Sequence, residues 1–263
     1  MKQILIIGGA GYIGSHMVKA LAQAGYAPIV LDNLSTGHAD LVRYGELIEG
    51  DLGDLELLDG LLERRNIHGV MHFAACSLAG ESMETPAKYY QNNVSATLNL
   101  LYSMVRHSVP AFIFSSTAAV YGEPEYCPID ENHTVRPINP YGASKWMVER
   151  ILSDLDAAYG LRSTSLRYFN AAGADPDGEL GECHNPETHL IPIVLQAASG
   201  RRNKVAIYGQ DYPTDDGTCV RDFIHIDDLC TAHLKALERQ LAGGATRVYN
   251  LGTGSGYSVR ELI

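Results

Sequence analysis

Positive charge is in short supply: Lys and Arg number 20 against 31 Asp and Glu, a formal net charge of -11. A general affinity for nucleic acid or an anionic membrane needs a basic surface that displaces counterions, so neither partner is expected and any phosphate site must be local. No apolar run approaches the ~20 residues that cross a bilayer as a helix, so no membrane role is expected either. The five cysteines, Cys76, Cys127, Cys183, Cys219 and Cys230, are odd in number and lack C-x-x-C spacing. Neither a zinc site nor a disulfide framework follows, and a reducing cytosol fits. His72, His107 and His233 stand in apolar or helical surroundings without a second ligand at metal spacing, so each reads as structural and no metal is expected. Cys76 reads as a packing residue, because no flanking pattern supplies an activating base. Met1-Lys2-Gln3 leads straight into an apolar run, without the charged, apolar, small order of an export signal, and a cytoplasmic location is the expectation.

What is present has a rhythm. Short β-branched runs, Ile4–Ile7, Ile29–Leu31, Val70–Phe73 and Phe112–Phe114, read as buried parallel strands. Between and after them, Tyr12–Ala24, Leu55–Arg65, Pro86–His107 and Pro140–Tyr159 read as helices. The alternation predicts an α/β fold, a Rossmann-type doubly wound parallel sheet. Thr85-Pro86 and Asn139-Pro140 each place a capping residue before a proline at the first helical position. The rhythm breaks at Ala171–Glu187, rich in Gly, Pro and Asp, which reads as a loop. Residues 1–170 are therefore expected to form a cofactor-binding domain, and 171–263 a smaller substrate-binding region interleaved with it. Ser258-x-x-Glu261 followed by Leu262-Ile263 is a capping box at the start of a helix. Helices average ~11 residues, so the expectation is that the natural chain continues.

Gly8-Gly9-Ala10-Gly11-Tyr12-Ile13-Gly14 lies between the first strand and the first helix. Gly8 permits a tight turn, Gly11 a close approach of backbone to a pyrophosphate, and Gly14 close packing of helix on strand, while free helix N–H groups attract the anion. Asp32 ends the second strand 18 residues beyond Gly14, near the ~20-residue spacing of a carboxylate that takes a ribose diol. Its charge would repel a 2'-phosphate, so the expected cofactor is NAD. The G-x-x-G-x-x-G spacing resembles the extended short-chain dehydrogenase/reductase superfamily.

Tyr141 and Lys145 stand at i and i+4 near a helix start and so share a face. An ammonium beside a phenol favours the phenolate, the equipment of a general base. The strand Phe112–Phe114 runs into Ser115-Ser116-Thr117, and Thr117 lies 24 residues before Tyr141. A hydroxyl at the carboxyl end of such a strand can bond a substrate alcohol while the tyrosine moves its proton.

Four segments then point one way: Phe114–Gly122, Tyr141–Lys145, Leu166–Asn170 and Asp216–His225 resemble the signature stretches of UDP-glucose 4-epimerases, in order and across almost the whole chain. The resemblance implies NAD-dependent inversion at C4 of UDP-glucose and UDP-galactose in galactose metabolism, through a 4-keto intermediate. It implies catalysis by Tyr141, Lys145 and Thr117. It implies NAD contacts from Tyr12, Ile13, Asp32, Asn33, Asp51, Leu52, Phe73, Ala74, Asn92, Lys145 and Tyr168, beside the glycines. Thr117, Tyr141, Phe169, Asn170, His189, Leu190, Tyr208 and Arg221 would hold the UDP-sugar, Arg221 on the diphosphate and Tyr208 against uracil. Many relatives carry Ser at the Thr117 position, and a common form has Asn at the His189 position. Pairing through Pro86–His107 and Pro140–Tyr159 would give a homodimer. A 4,6-dehydratase would want an acidic pair where Ala118-Ala119 stands. An epimerase of UDP-N-acetylhexosamines or uronic acids remains an alternative, as does a non-catalytic NAD sensor, which the retained Tyr141, Lys145 and Thr117 argue against.

Overall fold

The computed structural model describes residues 1–263. Strand β1 (Gln3–Ile7) enters α1 (Tyr12–Gln23), followed by β2 (Ala27–Asp32), β3 (Glu46–Glu49), α2 (Leu55–Arg64) and β4 (Ile67–His72). Next come α3 (Ala79–Glu84), α4 (Pro86–Tyr89), a π-helical turn (Tyr90–Ser95), α5 (Ala96–Arg106), β5 (Ala111–Thr117), α6 (Pro140–Tyr159) and β6 (Arg162–Tyr168). The remainder comprises β7 (Asn170–Ala172), α7 (Leu190–Ala198), β8 (Val220–His225), α8 (Ile226–Leu241), β9 (Arg247–Leu251), β10 (Gly256–Ser258) and α9 (Val259–Leu262).

Seven parallel strands form the main sheet in the order β3-β2-β1-β4-β5-β6-β9. A second sheet, β10-β8-β7, stands apart from it. Successive strand residues face opposite layers, which is why the central strands β1 and β2 carry unbroken apolar runs rather than alternating. Leu5 and Ile7 pack with Leu58 of α2, Leu100 and Met104 of α5 and Val148 and Leu152 of α6. Ile4 and Ile6 pack instead with Met17, Val18 and Leu21 of α1 and Leu229 and Leu237 of α8. The expected doubly wound sheet is thus present, with helices on both faces. Beyond residue 170 the chain returns to it: α8 covers one face and β9 extends the edge beside β6.

The helix from Pro140 to Tyr159 has its expected limits. Asn139 Oδ1 accepts from Gly142 N at 2.8 Å, and Gly160, at φ +71°, ends the helix in the left-handed region. The Pro86 helix departs from expectation twice. Thr85 Oγ1 does not cap it but donates back to Glu81 O at 3.2 Å. The stretch expected as one α-helix is α4 and α5 joined by the π turn. The expected loop after 170 begins only at Gly173, because Asn170–Ala172 pair with β8. That loop is clamped to α1: buried Lys19 donates to Asp175 at 2.8 Å and Asp177 at 2.8 Å and lies 3.0 Å from Glu179. The capping box forms, with Ser258 Oγ accepting from Glu261 N at 3.1 Å and Ser258 N donating to Glu261 Oε2 at 2.7 Å.

Candidate active site

Strand order reverses between β1 and β4, the switch point where an open α/β sheet leaves a crevice at its carboxyl edge. The glycine turn lies there. Gly8 is at φ +80°, and a Cβ on it would sit 2.5 Å from Ala74 N, just past the end of β4. A Cβ on Gly14 would fall 2.1 Å from Gly8 O and 2.7 Å from Gly9 Cα, so the close approach that Gly14 allows is between α1 and the turn that leaves β1. Gly11 differs: its Cβ would meet only Gly8 O, at 3.6 Å, which leaves backbone accessible to a ligand. No side chain caps α1, so the N–H groups of its first turn, from Tyr12, Ile13 and Gly14, keep their attraction for an anion.

The other expected cofactor residues gather along the same edge. Asp32 accepts from Ala10 N and Leu34 N, each at 2.9 Å, bracing the turn against the end of β2. Asn33 Nδ2 donates to Asp51 Oδ2 at 2.7 Å, and Gly53 N to Asp51 Oδ1 at 2.8 Å. Those bonds, Asn33 first, hold the Asp51 carboxyl below its usual range. Leu52 follows, packed against the core. Phe73 N and Ala74 N donate to Ile7 O at 2.8 and 3.1 Å, fixing the end of β4 to the end of β1. Tyr12 Oη donates to Gly173 O at 2.7 Å. Tyr168 ends β6 with its hydroxyl on Ser115. Asn92 lies in the π turn and donates to Asn93 at 2.9 Å.

Strand β5 delivers Thr117 to this edge, where its Oγ1 accepts from Ala119 N at 3.1 Å. Tyr141 stands in the first turn of α6, close enough to Thr117 for that hydroxyl to pull the phenol's pKa down, although burial is the larger influence and the net direction is up. Lys145, one turn on, is buried, donates to Ser115 O at 2.8 Å and lies 4.9 Å over the Phe114 ring. Burial pushes its ammonium down to about 7. The expected lowering of Tyr141 by Lys145 is therefore corrected: desolvation governs both groups, and the amine's hydrogen bond goes to the β5 carbonyl.

Of the expected substrate residues, Phe169 links β6 to β7, and Asn170, which opens β7, donates through Nδ2 to Asp222 O at 3.0 Å. His189 and Leu190 open α7, with His189 Nδ1 2.7 Å from Glu182. Tyr208 is 86% exposed, and Arg221 donates to Val220 O at 2.9 Å; neither bonds another of the named residues.

A profile of the NAD dependent epimerase/dehydratase family matches residues 4–252. The chain belongs to this family. Its relatives are close: the UDP-glucose 4-epimerase of Rhizobium meliloti (strain 1021) is 52% identical over 262 residues, 100% of this chain and 80% of that protein. The crystal structure of UDP-glucose 4-epimerase from Brucella ovis in complex with NAD superposes with a TM-score of 0.97 at 51% identity, covering 100% of this chain and 81% of that one. That of UDP-glucose-4-epimerase from Stenotrophomonas maltophila with bound NAD and formylated UDP-arabinopyranose reaches 0.95 at 38% identity, covering 100% and 81%.

NAD, the cofactor of this epimerase/dehydratase family, fits the residues found: an uncapped helix start faces the groove at Gly11, and a carboxylate stands at the end of β2. Sequence reading missed the polar scaffold around the edge where Thr117, Tyr141 and Lys145 meet. Glu149, one turn past Lys145, accepts from Ser116 Oγ at 2.5 Å and from Arg167 Nη2 at 2.5 Å and Nε at 2.9 Å. Arg167 also donates to Tyr121 Oη at 2.8 Å, which donates to Asn250 Oδ1 at 2.7 Å. Asn93 is buried and spans from Cys76, whose N donates to it and whose O accepts from it at 2.9 Å each, to Ser144 Oγ at 3.0 Å. Such π-helical insertions recur at functional sites, but side-chain pattern alone gives no sign of one. Burial raises the Cys76 thiol, which argues against a nucleophile there.

Proposed function

We propose that the chain interconverts UDP-glucose and UDP-galactose by inverting C4 of the sugar through a 4-keto intermediate. The carrying observation is the meeting of Thr117 and Tyr141 at the mouth of β5, with Lys145 one turn along, on the edge that also bears the glycine cradle. Identity of about half to UDP-glucose 4-epimerases over the whole chain supports the sugar assignment.

Tyr141 takes the proton of the sugar 4-hydroxyl as its phenolate, an ionisation that burial opposes and that the positive nicotinamide of bound NAD would favour, and Thr117 holds that hydroxyl in line with the phenol oxygen. NAD, when bound, supplies reversible hydride transfer at C4. The sugar turns over between the two transfers, and Tyr141 returns the proton to the opposite configuration. Lys145 holds the ribose beside the phenol; with its ammonium at about 7, it also carries a charge that responds to small changes nearby. Ala118-Ala119 lead the short turn after β5 without the acid that removal of water would need. Residues 1–170 bind the cofactor, with Gly8, Gly11, Tyr12, Ile13, Gly14, Asp32, Asn33, Asp51, Leu52, Phe73, Ala74, Asn92, Lys145 and Tyr168 in contact. Residues 171–263 supply the sugar-nucleotide grip through His189, Leu190, Tyr208 and Arg221, joined by Phe169 and Asn170 at the boundary of the first domain. A homodimer through α4–α5 and α6, on which Tyr102 and Met147 are exposed, a cytoplasmic location and a place in galactose metabolism complete the reading.

Tyr141→Phe tests it. Conversion of UDP-galactose without added NAD should fall by at least about 100-fold, the share of a positioned acid/base, while NAD stays bound. Normal conversion by that variant refutes the assignment.

A further inference from the structure

Away from Tyr141, the loop after β7 folds so that Glu182, His184, Glu187 and His189 converge, their ligand atoms all within 4.8 Å of one another. The two carboxylate side chains are only 9% and 6% exposed, for Glu182 and Glu187 respectively. Buried carboxylates need compensation, since a charge removed from water is costly. His189 Nδ1 lies 2.7 Å from Glu182 Oε1 and 3.5 Å from Glu187 Oε1. His184 Nδ1 lies 3.4 Å from that same Glu182 oxygen and 3.8 Å from Glu187 Oε2.

Ion pairing accounts for only part of this. His184 Nδ1 is buried and makes no hydrogen bond. Both histidines present the same nitrogen to the same two carboxylates. A tetrahedral ion with ligands at about 2.1 Å sets neighbouring ligand atoms about 3.4 Å apart. Separations of 3.4, 3.5 and 3.8 Å lie at or just above that edge, the 2.7 Å pair has to open, and all four ligand atoms already lie within 4.8 Å of one another, so small side-chain shifts complete the shell. Thr188 N and His189 N donate to Glu187 Oε1 at 2.8 and 2.9 Å, an outer shell that orients a ligating carboxylate.

We propose that Glu182, His184, Glu187 and His189 bind one divalent transition-metal ion of the zinc type. Two carboxylates and two neutral imidazoles sum to the charge such an ion cancels, and imidazole nitrogen selects it over magnesium or calcium. Four protein ligands close the shell, which makes the site structural. The ion ties the loop to the start of α7 at the rim of the cofactor groove, where His38 Nε2 meets Cys183 O at 3.1 Å and the charge of Glu182 is felt at Tyr12. Ligation through Nδ1 leaves the Nε2–H of His189 free for the substrate role proposed above.

The test uses the purified full chain, stripped with chelator and titrated with Zn2+ by calorimetry and with Co2+ by visible absorption. One equivalent should bind. The Co2+ complex should show tetrahedral d–d bands without thiolate charge transfer, which separates this site from the free cysteines. His184→Ala should weaken binding by at least about 100-fold, because loss of an outer-shell partner alone costs about 10–100-fold. Glu187→Gln, which keeps an acceptor for the loop amides, should do the same without unfolding the loop. Zn2+ should raise the Tm of the parent chain and of neither variant. Absence of a stoichiometric site, a thiolate spectrum, or undiminished affinity in both variants overturns the proposal. None of these readouts requires turnover, so they stand independent of the epimerase assignment.

Discussion

Replacing Glu149 by Gln removes the negative half of a pair sealed between α6 and β6. The side chains of Arg167 and Glu149 are 4% and 3% exposed. Burial is the largest influence on Arg167 and works against its charge, but the bonds and field of Glu149 outweigh it and the guanidinium is held above its usual range. Without the carboxylate, that cation stays buried and uncompensated, a loss of about 3–5 kcal/mol when one partner of a buried pair is removed. For a chain of this size each kcal/mol shifts Tm by about 2–4 °C, so the variant should melt roughly 10 °C lower. The sum of parts would mislead here, because the pair itself can be nearly neutral against an apolar replacement. Glu149→Leu combined with Arg167→Met should therefore recover much of what the single change loses. Thermal unfolding of the three proteins by circular dichroism checks both halves. A Glu149→Gln protein within about 1 kcal/mol of the parent, or a double variant no better than the single, would refute the reasoning.

Two further predictions rest on the carboxyl edge of the sheet. Lys145 has its folded pKa depressed to about 7 by burial, so between there and its unfolded value of about 10.4 the unfolded chain binds more protons and stability rises with pH. Urea denaturation at pH 7 and pH 9 should show that gain in the parent and a smaller one in Lys145→Met; an equal gain in both removes Lys145 as the cause. Gly14→Ala places a methyl 2.1 Å from Gly8 O, overpacking that costs about 1–3 kcal/mol, and the purified variant should carry less NAD. Full NAD content at unchanged Tm would contradict the account of that turn.

Several features were legible in the residues because local chemistry decides them. Asn139, Pro140 and Gly160 bound α6 through caps that owe little to tertiary contacts. Gly8 and Gly14 announce a turn no other residue fits. Strand β6 carries no comparable signal: its Ser163, Thr164 and Ser165 are buried but polar, and Gln240 of α8, donating to Ser163 O at 2.9 Å and Thr164 Oγ1 at 2.7 Å, makes that tolerable. Edge strand β3, with glutamates at both ends, hides for a related reason. Arg167 and Glu149 are 18 residues apart and meet only once α6 lies on the sheet. The Glu182-x-His184-x-x-Glu187-x-His189 spacing was there to be read, but it sits in a loop, where no helical or strand period draws ligands together.

The double duty of Asp32 bears on redesign. Its two oxygens already secure the amides of Ala10 and Leu34, so exchanging it for a small neutral residue to admit a phosphorylated ribose would also slacken the loop proposed to cradle the pyrophosphate. Switching this protein's cofactor preference calls for a paired change: one substitution to welcome the extra phosphate, and another to tether residue 10 afresh.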